Sequence, residues 1–295
     1  MKVSVIITSY NRLDKIERAI ESALQQTYKD FEIIIVDDYS TDGSTEYLKT
    51  IKNSKITTFF FNENRGQAIA TNFAVEKSKG SWLAFLDADD YWSHEKLLVF
   101  MNEIEKNEDV YKLFYSSKYI ISSDGNILRT IIAKEEGFIH DKVKLLNPIG
   151  CQSSAMVKKD LYTAVGGLDE KLAATKDWDL WIRLTHKVKV KAISEVLTYY
   201  EENNESISSN LARVIKGREQ FWKKHFPKGM TLHEKRVSYL LFGKFILNRG
   251  HKKKSRGYFL KAWKANLLYP FGLLYYIISF MPHKLIKKLY KLSIN

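Results

Sequence analysis

Short, largely apolar segments without regular polar alternation alternate with amphipathic segments over the first ninety residues of the chain. The largely apolar segments are 3–8, 31–36, 55–61 and 81–86. The intervening segments repeat apolar residues at helical spacing, at 13–26, 44–52 and 67–78. Strands without polar alternation are typical of a parallel sheet that is covered on both faces. The pattern therefore predicts repeated βαβ units in an open α/β sheet.

The pattern continues less regularly to about residue 193. It predicts two helices, at 93–107 and 176–187, and strands at 111–120, 151–157 and 188–193, with a hairpin turn centred on Asp124 and Gly125.

Polar and acidic residues follow each of the first four predicted strands. These segments are TSYN (8–11), DDYSTDGS (37–44), NENRG (62–66) and DADD (87–90). Helix capping by Asp42, Ser44 or Ser93 explains one or two of them, but not all four. Ligands of open α/β sheets bind at the carboxyl ends of the strands. We therefore expect a binding site at this edge.

The segment FLDADDYW places three carboxylates, Asp87, Asp89 and Asp90, directly after a buried strand. Crowded negative charges raise one another's pKa and cost free energy unless a cation compensates them. Either these side chains are solvated and cap the next helix, or they hold a metal ion.

The net charge of +13 is unevenly distributed. Residues 1–210 carry 27 Lys and Arg against 32 Asp and Glu, whereas residues 211–295 carry 20 against 2. This asymmetry indicates two functional regions, one of which faces a polyanion. The single cysteine, Cys151, excludes a disulfide framework and a cysteine-ligated zinc site. With no signal-peptide pattern in residues 1–11, we expect a cytoplasmic protein.

Five motifs occur in order along the first two hundred residues: VSVIITSYNR (3–12), QQTYKDFEIIIVDDYSTDGS (25–44), NRGQAIATN (64–72), GSWLAFLDADDYW (80–92) and GGLDEKLAATKDWDLWIRL (166–184). Together they resemble the inverting, nucleotide-sugar-dependent glycosyltransferases of the GT-A fold known as family 2. The resemblance implies an α/β fold, with a Rossmann-like mixed sheet and helices on both faces. It also implies a catalytic domain at 1–210, with nucleotide-sugar binding in 1–92 and the acceptor side in 93–210.

The same resemblance assigns the nucleoside pocket. Thr8, Tyr10 and Asn11 would line it, and Asp38 would hydrogen-bond the base. Arg65 would face the base or the diphosphate, although an exposed surface arginine is a serious alternative.

The acidic segment would hold the metal. By resemblance Asp89 binds a divalent cation, Mn²⁺ or Mg²⁺, and Asp87 faces the ribose or the metal shell. For Asp90, helix capping competes with metal ligation. A hard cation on carboxylate oxygens can bridge the donor's phosphates and stabilise the leaving nucleoside diphosphate.

Inversion requires a general base, and the resemblance places it at Asp177, at the start of the helix in KDWDLW. Asp179 is the competing candidate, but it points to another face of the helix. The preceding residue, usually Glu in the family, is Lys176 here. Trp178 and Trp181 either shape an acceptor subsite or belong to the core.

A second departure concerns the segment YYEENNESIS. Many relatives carry Arg and His before an S-x-S in a loop that folds over the diphosphate. Here Glu201 and Asn203 stand at those positions, while Ser206 and Ser208 remain.

Residues 211–295 lie outside the resemblance and read as basic amphipathic helices at 211–226 and 237–269. Residues 266–282 carry no charge, but they are slightly short for a membrane span and are interrupted by Pro270 and Gly272. We expect this region to bind an anionic membrane surface from the inner face of the cell membrane, with a packed helical subdomain as the alternative. Nucleic acid is not expected as a partner, because no RNA- or DNA-binding signature accompanies the charge.

The sequence thus predicts a membrane-associated transferase that moves a sugar from a UDP-sugar to a glycan or lipid-linked acceptor in bacterial surface polysaccharide synthesis. Two alternatives stay open. A non-catalytic adaptor that keeps the fold is suggested by Lys176, Glu201 and Asn203. A phosphatase with an aspartyl nucleophile in FLDADD would leave the motifs at 8–11 and 37–44 unexplained.

Overall fold

The computed structural model of the protein describes residues 2–202, 210–282 and 284–286. The chain forms two compact units, Met1–Phe221 and Trp222–Asn295. The sequence placed the division in the polar segment 203–210, whereas the first unit extends through most of the next helix. The functional roles assigned to the two regions stay predictions.

The first unit contains all nine strands of the described chain and most of its helices. The strands are β1 (Val3–Ser9), β2 (Phe31–Asp37), β3 (Ile56–Phe60), β4 (Trp82–Asp87), β5 (Tyr91–Trp92), β6 (Tyr111–Ile121), β7 (Ile127–Ile131), β8 (Ala155–Lys158) and β9 (Lys189–Glu201). The helices are α1 (Leu13–Leu24), α2 (Ser44–Thr50), α3 (Gln67–Lys77), α4 (Lys96–Asn107), α5 (His140–Leu145), α6 (Lys159–Ala164), α7 (Lys176–Thr185) and α8 (Leu211–His225), of which α8 continues past Phe221.

The strands form one mixed sheet in the order β3-β2-β1-β4-β8-β6-β9-β5, with β7 paired to β6. The first four strands are parallel, as their apolar sequences predict. Strand β8 is antiparallel to both β4 and β6, and β9 is parallel to β6. Within this register Thr8 lies between Val36 and Asp87. The ends of β1, β2 and β4 therefore meet at one edge, and the predicted mixed α/β fold is confirmed.

The core lies against the parallel strands. Strand β2 is buried at every position, and Ile16, Ala19, Ile20 and Ala23 of α1 pack against the sheet. The apolar spacing along α1 therefore has the expected cause, because these residues form the stripe that faces the sheet.

Two predicted strands differ from the structure. In segment 151–157, residues Gln152–Ser154 form a 3₁₀ turn before β8 begins. Strand β9 continues to Glu201 instead of ending near residue 193, because β6 pairs with it along almost its whole length. Tertiary pairing overrides the polar interruption at Ser194 and Glu195.

The second unit is helical and contains α9 (Leu232–Asn248), α10 (Lys252–Ala265) and α11 (Phe271–Ile278). The continuous helix predicted over 237–269 is wrong. It breaks after Asn248, where Gly250 has φ +83° and His251 donates its backbone N–H to the carbonyl of Ile246. A left-handed glycine followed by this bond is a common helix ending. No helix among the described residues is long and apolar enough to cross a membrane.

Candidate active site

Two loops at the carboxyl edge of the sheet are bonded to each other through Asn11. Its side-chain oxygen accepts the Thr41 backbone N–H at 2.8 Å, and its own N–H donates to the Ser40 hydroxyl at 2.9 Å. The loop after β1 is therefore fixed against the loop after β2. Asn11 itself is half-buried and lies at this edge.

Asp37 ends β2 and Asp38 follows it, and the two carboxylates make different contacts. Asp37 accepts the Ser40 hydroxyl at 2.6 Å and so organises its own loop. The Asp38 carboxylate accepts the backbone N–H groups of Arg65 and Gly66 at 2.7 and 2.8 Å. Burial raises the pKa of Asp38, although these two bonds oppose the shift. Asp38 thus joins β2 to the loop before α3.

The other predicted nucleoside contacts surround this loop. Tyr10 is 46% exposed, and Thr8 is half-buried beside Asp87 in the sheet register. Arg65 is exposed, with its guanidinium 5.1 Å from the centre of the Phe61 ring. The structure brings these side chains to the same edge of the sheet, and their roles in binding a base stay predictions.

Three carboxylates from two motifs, Asp87 and Asp89 in one and Asp177 in the other, influence one another's charge at this edge. Burial, followed by the negative charges of Asp89 and Asp177, raises the pKa of Asp87 to about 7. Gln67 opposes this shift by donating to Oδ1 of Asp87 at 3.1 Å. Asp177 lies ninety residues from Asp87 in the sequence, so the fold brings together two motifs that are distant along the chain.

Asp89 also interacts with two arginines. Its Oδ2 lies 3.6 Å from Nε of Arg12, and its backbone carbonyl accepts Nη2 of Arg18 at 2.9 Å. These cations compensate part of the charge on the acidic segment.

Asp90 does not cap α4, whereas metal ligation by Asp90 stays a prediction. It is fully buried, its Oδ1 accepts the Glu201 backbone N–H at 3.0 Å, and α4 begins after Glu95 instead. Burial and the charges of Asp89 and Asp87 raise its pKa well above the usual range. Asp90 therefore connects the acidic segment to the end of β9.

Asp177 and Asp179 differ as candidate bases. Asp179 is fully buried, and its Oδ2 accepts two bonds from Arg183, at 2.9 and 2.7 Å. Asp177 is half-buried in the first turn of α7, where burial raises its pKa against the opposing charges of Lys118 and Arg218. The geometry therefore favours Asp177, although its role in catalysis stays a prediction.

The backbone is unusual around the same site. Among the described residues, three that are not glycine have positive φ, namely Asn11 (51°), Tyr39 (67°) and Thr175 (61°). They follow β1, follow β2 and precede α7. Such conformations cost free energy, more for a β-branched residue such as Thr175, and they cluster at functional sites.

The two tryptophans of α7 have separate roles. Trp181 is fully buried and donates its Nε1 to the carbonyl of Gly150, so it belongs to the core. Trp178 is half-buried beside Asp177, and the guanidinium of Arg218 lies 4.2 Å from its ring centre.

Three supporting residues escaped the sequence analysis. Arg12 and Gln67 lie within two of the five motifs, which marks them as near the site. Their contacts with Asp89 and Asp87 do not follow from the sequence. Ser153, whose hydroxyl accepts the Asp87 backbone N–H at 3.0 Å, lies in the 3₁₀ turn that reads as a strand. Nothing in the sequence signals its contact.

The residues that depart from the family pattern are differently placed. Glu201 is buried and forms ion pairs with Lys15 and Arg18 of α1. Burial lowers the pKa of Lys176, and the charge of Arg213 adds to this effect. Asn203, Ser206 and Ser208 lie outside the described residues.

The carboxylates at this edge fit a metal ion that a substrate ligates as well. Among the residues that the structure describes, no group of three or more His, Cys, Asp or Glu is arranged to hold a metal by itself. Mg²⁺ is typically bound by one or two carboxylates together with substrate phosphates. Asp89, with Asp87 beside it, supplies such a partial set.

The mixed sheet, the polar strand ends and the carboxylates of two motifs are typical of α/β proteins that bind a ligand at the carboxyl edge of the sheet. Comparison with known proteins identifies the family. A family model for glycosyl transferase family 2 matches residues 4–166, more than half of the chain. The chain belongs to this family and is a glycosyltransferase. The adaptor and phosphatase alternatives are therefore not supported.

A curated relative from Escherichia coli is 35% identical over 209 residues, which cover 70% of this chain and 80% of the relative. It is the UDP-Glc:alpha-D-GlcNAc-diphosphoundecaprenol beta-1,3-glucosyltransferase WfaP.

Two solved structures share the fold at low identity. Residues 1–349 of S. aureus TarS in complex with UDP-GlcNAc align with a TM-score of 0.60 at 17% identity, covering 99% of this chain and 92% of that one. A mannosyltransferase from Pyrobaculum calidifontis in complex with GDP-Man and Mn²⁺ also aligns with a TM-score of 0.60 at 17% identity, covering 90% and 73%. Both support the GT-A-like fold.

Proposed function

We propose that this protein is an inverting glycosyltransferase that moves a sugar from a UDP-sugar to a lipid-linked or glycan acceptor in bacterial surface polysaccharide synthesis. The observation that carries the proposal is that the fold brings Asp177 close enough to the acidic segment for the charges of Asp89 and Asp177 to raise the pKa of Asp87. A family 2 relative that uses UDP-Glc and acts on a diphosphoundecaprenol-linked saccharide supports the choice of substrates.

The donor lies along the ends of β1, β2 and β4 in this proposal. Thr8, Tyr10 and Asn11 line the nucleoside pocket, and Asp38 accepts from the base. Each oxygen of Asp38 already accepts one backbone N–H, and a carboxylate oxygen can accept a second bond. Arg65 faces the base or the diphosphate.

A divalent cation, Mn²⁺ or Mg²⁺, is the proposed cofactor. Asp89 would hold it, with Asp87 contributing to its shell or contacting the ribose. When bound, the cation stabilises the negative charge of the leaving diphosphate. The raised pKa of Asp87 supports this assignment, because a cation beside crowded carboxylates relieves their repulsion.

Asp177 is the proposed general base. The acceptor hydroxyl oxygen forms a bond to the anomeric carbon, while the bond from that carbon to the diphosphate oxygen breaks with its electron pair. The hydroxyl proton passes to Asp177. Burial raises the pKa of Asp177, which makes it a stronger base than an exposed aspartate.

The second unit is proposed to bind the inner face of the cell membrane, where a lipid-linked acceptor lies. Helix α11 and the residues before it expose Leu267, Leu268, Leu274 and Ile277, at 46–95% of their surface. Apolar residues beside lysines and arginines are typical of helices that lie in a membrane interface. This membrane contact supplements the catalytic proposal and does not depend on it.

Isothermal titration calorimetry of the full-length protein with UDP, with and without Mn²⁺, tests the donor site. We expect Mn²⁺ to strengthen UDP binding, and Asp89→Ala to remove the metal-dependent part. Asp124→Ala, in the hairpin turn between β6 and β7, is a matched control that should bind like the wild type. Metal-independent binding of equal strength in the wild type would reject the cation site, and no binding of UDP would reject the UDP donor.

A further inference from the structure

Glu201 is a buried carboxylate that forms ion pairs with two cationic side chains of helix α1. It is 2% exposed at the last position of β9, where the family resemblance implies an arginine. Its Oε1 lies 2.8 Å from Nζ of Lys15, and its Oε2 lies 2.6 Å from Nη2 of Arg18. A carboxylate withdrawn from water is stable only when such partners compensate its charge, so the three side chains fix one another.

Arg18 extends this contact to the acidic segment. The same Nη2 atom that donates to Glu201 also donates to the backbone carbonyl of Asp89 at 2.9 Å. The guanidinium lies 4.6 Å from the centre of the Tyr91 ring, which stacks on Tyr199 at 4.5 Å. Because one nitrogen makes both bonds, a shift of Glu201 moves the donor that holds the Asp89 backbone.

A second bond closes a ring of contacts. The backbone N–H of Glu201 donates to Oδ1 of Asp90 at 3.0 Å. The path from Asp89 to Asp90, Glu201, Arg18 and back to Asp89 is therefore continuous. A segment with three mutually repelling carboxylates is restrained at two points by a single residue.

The carboxylate of Glu201 is not needed to complete β9. Glu201 pairs with Ile121 in the β6–β9 register, and the next residue, Glu202, donates its backbone N–H to the Ile121 carbonyl at 2.9 Å. Backbone bonds thus hold the end of the strand. The side chain acts on α1 and, through it, on the acidic segment.

We infer that Glu201 is a positioning residue for cation-dependent donor binding, because it orients Arg18, which fixes the backbone of Asp89. The inference rests on the proposed function, since it assigns a purpose to the placement of Asp89. Glu201 itself touches neither the cation nor the donor. Residues that orient metal ligands in this way affect metal affinity by about 10- to 100-fold when they are changed.

The test measures the Mn²⁺ concentration that gives half-maximal UDP binding, in full-length protein, for the wild type, Glu201→Gln and Arg18→Lys. Glu201→Gln keeps the shape and removes the charge. Arg18→Lys keeps a cation beside Glu201 but removes Nη2, the nitrogen that donates to the Asp89 carbonyl. Glu202→Gln is the matched control, because Glu202 adjoins Glu201 but pairs with Arg129 at 3.6 Å and is 42% exposed.

We expect Glu201→Gln and Arg18→Lys each to raise the required Mn²⁺ about 10-fold or more, and the double variant to add little beyond either change. Glu202→Gln should stay within about 2-fold of the wild type. Thermal unfolding of each variant separates positioning from stability, because Arg18→Lys should keep a Tm close to that of the wild type.

Normal Mn²⁺ dependence in a folded Arg18→Lys or Glu201→Gln protein would overturn the inference and leave the proposed function intact. A lower Tm with normal Mn²⁺ dependence would also overturn it, because Glu201 would then serve only stability. Failure of the wild type to bind UDP with Mn²⁺ is a different result, which would reject the proposed function and the inference together.

Discussion

Two regions of the molecule each carry an excess of charge of one sign, but they differ in how the charged side chains are placed. The acid edge is defined as Asp38, Asp87, Asp89 and Asp177, whose carboxylates are buried or half-buried. The negative charges of Asp89 and Asp177 raise the pKa of Asp87. The helical unit, Trp222–Asn295, spreads its cations over aromatic rings instead. Examples are Arg236 over Tyr269, Lys244 over Tyr275 and Arg256 over Phe280, at 3.9, 4.1 and 3.6 Å.

The difference agrees with the ligand that is proposed for each region. Coulomb interactions are stronger between buried charges than between solvated ones, which supports the divalent cation proposed for the acid edge. Exposed cations beside apolar side chains gain little from any single counter-ion, because water and salt screen them. Over an extended anionic surface, however, the attractions of many such cations add together, at about 1 kcal/mol for each Lys or Arg near the surface.

The largest expected effect is at the acid edge. Asp177→Asn keeps the size of the side chain but cannot accept the acceptor's proton, so kcat should fall about 10³-fold, within the range for removal of a general base. Steady-state kinetics with a UDP-sugar measure this, and UDP binding should be unchanged. Asp179→Asn, the paired comparison, should lower the Tm because it leaves Arg183 without its carboxylate. An equally large loss of kcat in folded Asp179→Asn would reject the choice of Asp177.

The pH dependence should report the same base. Burial raises the pKa of Asp177, so the proton-accepting form is lost at a higher pH than for an exposed aspartate. As pH falls below that pKa, kcat/KM should fall about tenfold per unit. A profile of kcat/KM against pH measures the acidic limb. If a folded Asp177→Asn protein shows the same limb in its residual activity, the limb belongs to another group.

A smaller effect is expected in the helical unit. Replacing Leu267, Leu268 and Ile277 together by Ser removes exposed apolar surface, and binding to vesicles of phosphatidylglycerol and phosphatidylcholine should weaken about tenfold or more. Co-sedimentation measures the bound fraction. Ile127→Ser/Leu128→Ser in β7 removes similarly exposed residues, at 56% and 53%, and should bind like the wild type. Equal weakening in both proteins would indicate nonspecific apolar adsorption.

The smallest expected effect concerns stability. The folded-state pKa of Asp87 is raised to about 7, so its stabilising contribution is present at low pH and is lost as pH rises through that value. Asp87→Asn removes this loss and should raise the Tm by roughly 2–4 °C at pH 8, with less gain at pH 6. Differential scanning calorimetry at the two pH values checks the sign. A lower Tm at pH 8 would mean that the Gln67 and Ser153 contacts outweigh the charge repulsion.

Local patterns predicted the first half of the fold because its strands are largely apolar and its polar residues follow each strand end. The same logic placed Asp38 and Asp87 at one edge, whereas only the family resemblance assigned Asp177 to the site. Contacts that depend on pairing across the sheet were not predictable in this way. Glu201 meets α1 only because β9 extends to its end beside β6 and β5, and the polar residues Ser194 and Glu195 conceal that extension. The break at Gly250 is visible in the sequence, but helical spacing on either side obscures it.

The close packing of α8 determines where the catalytic unit can be shortened. A methyl group on Gly217 would lie 2.5 Å from the backbone nitrogen of Ala174, so the helix runs directly against the segment that leads to Asp177. Arg213 and Gln220 donate to the carbonyls of Ala173 and Lys171. A truncation after residue 210 removes this support, whereas an end point at Phe221 retains it.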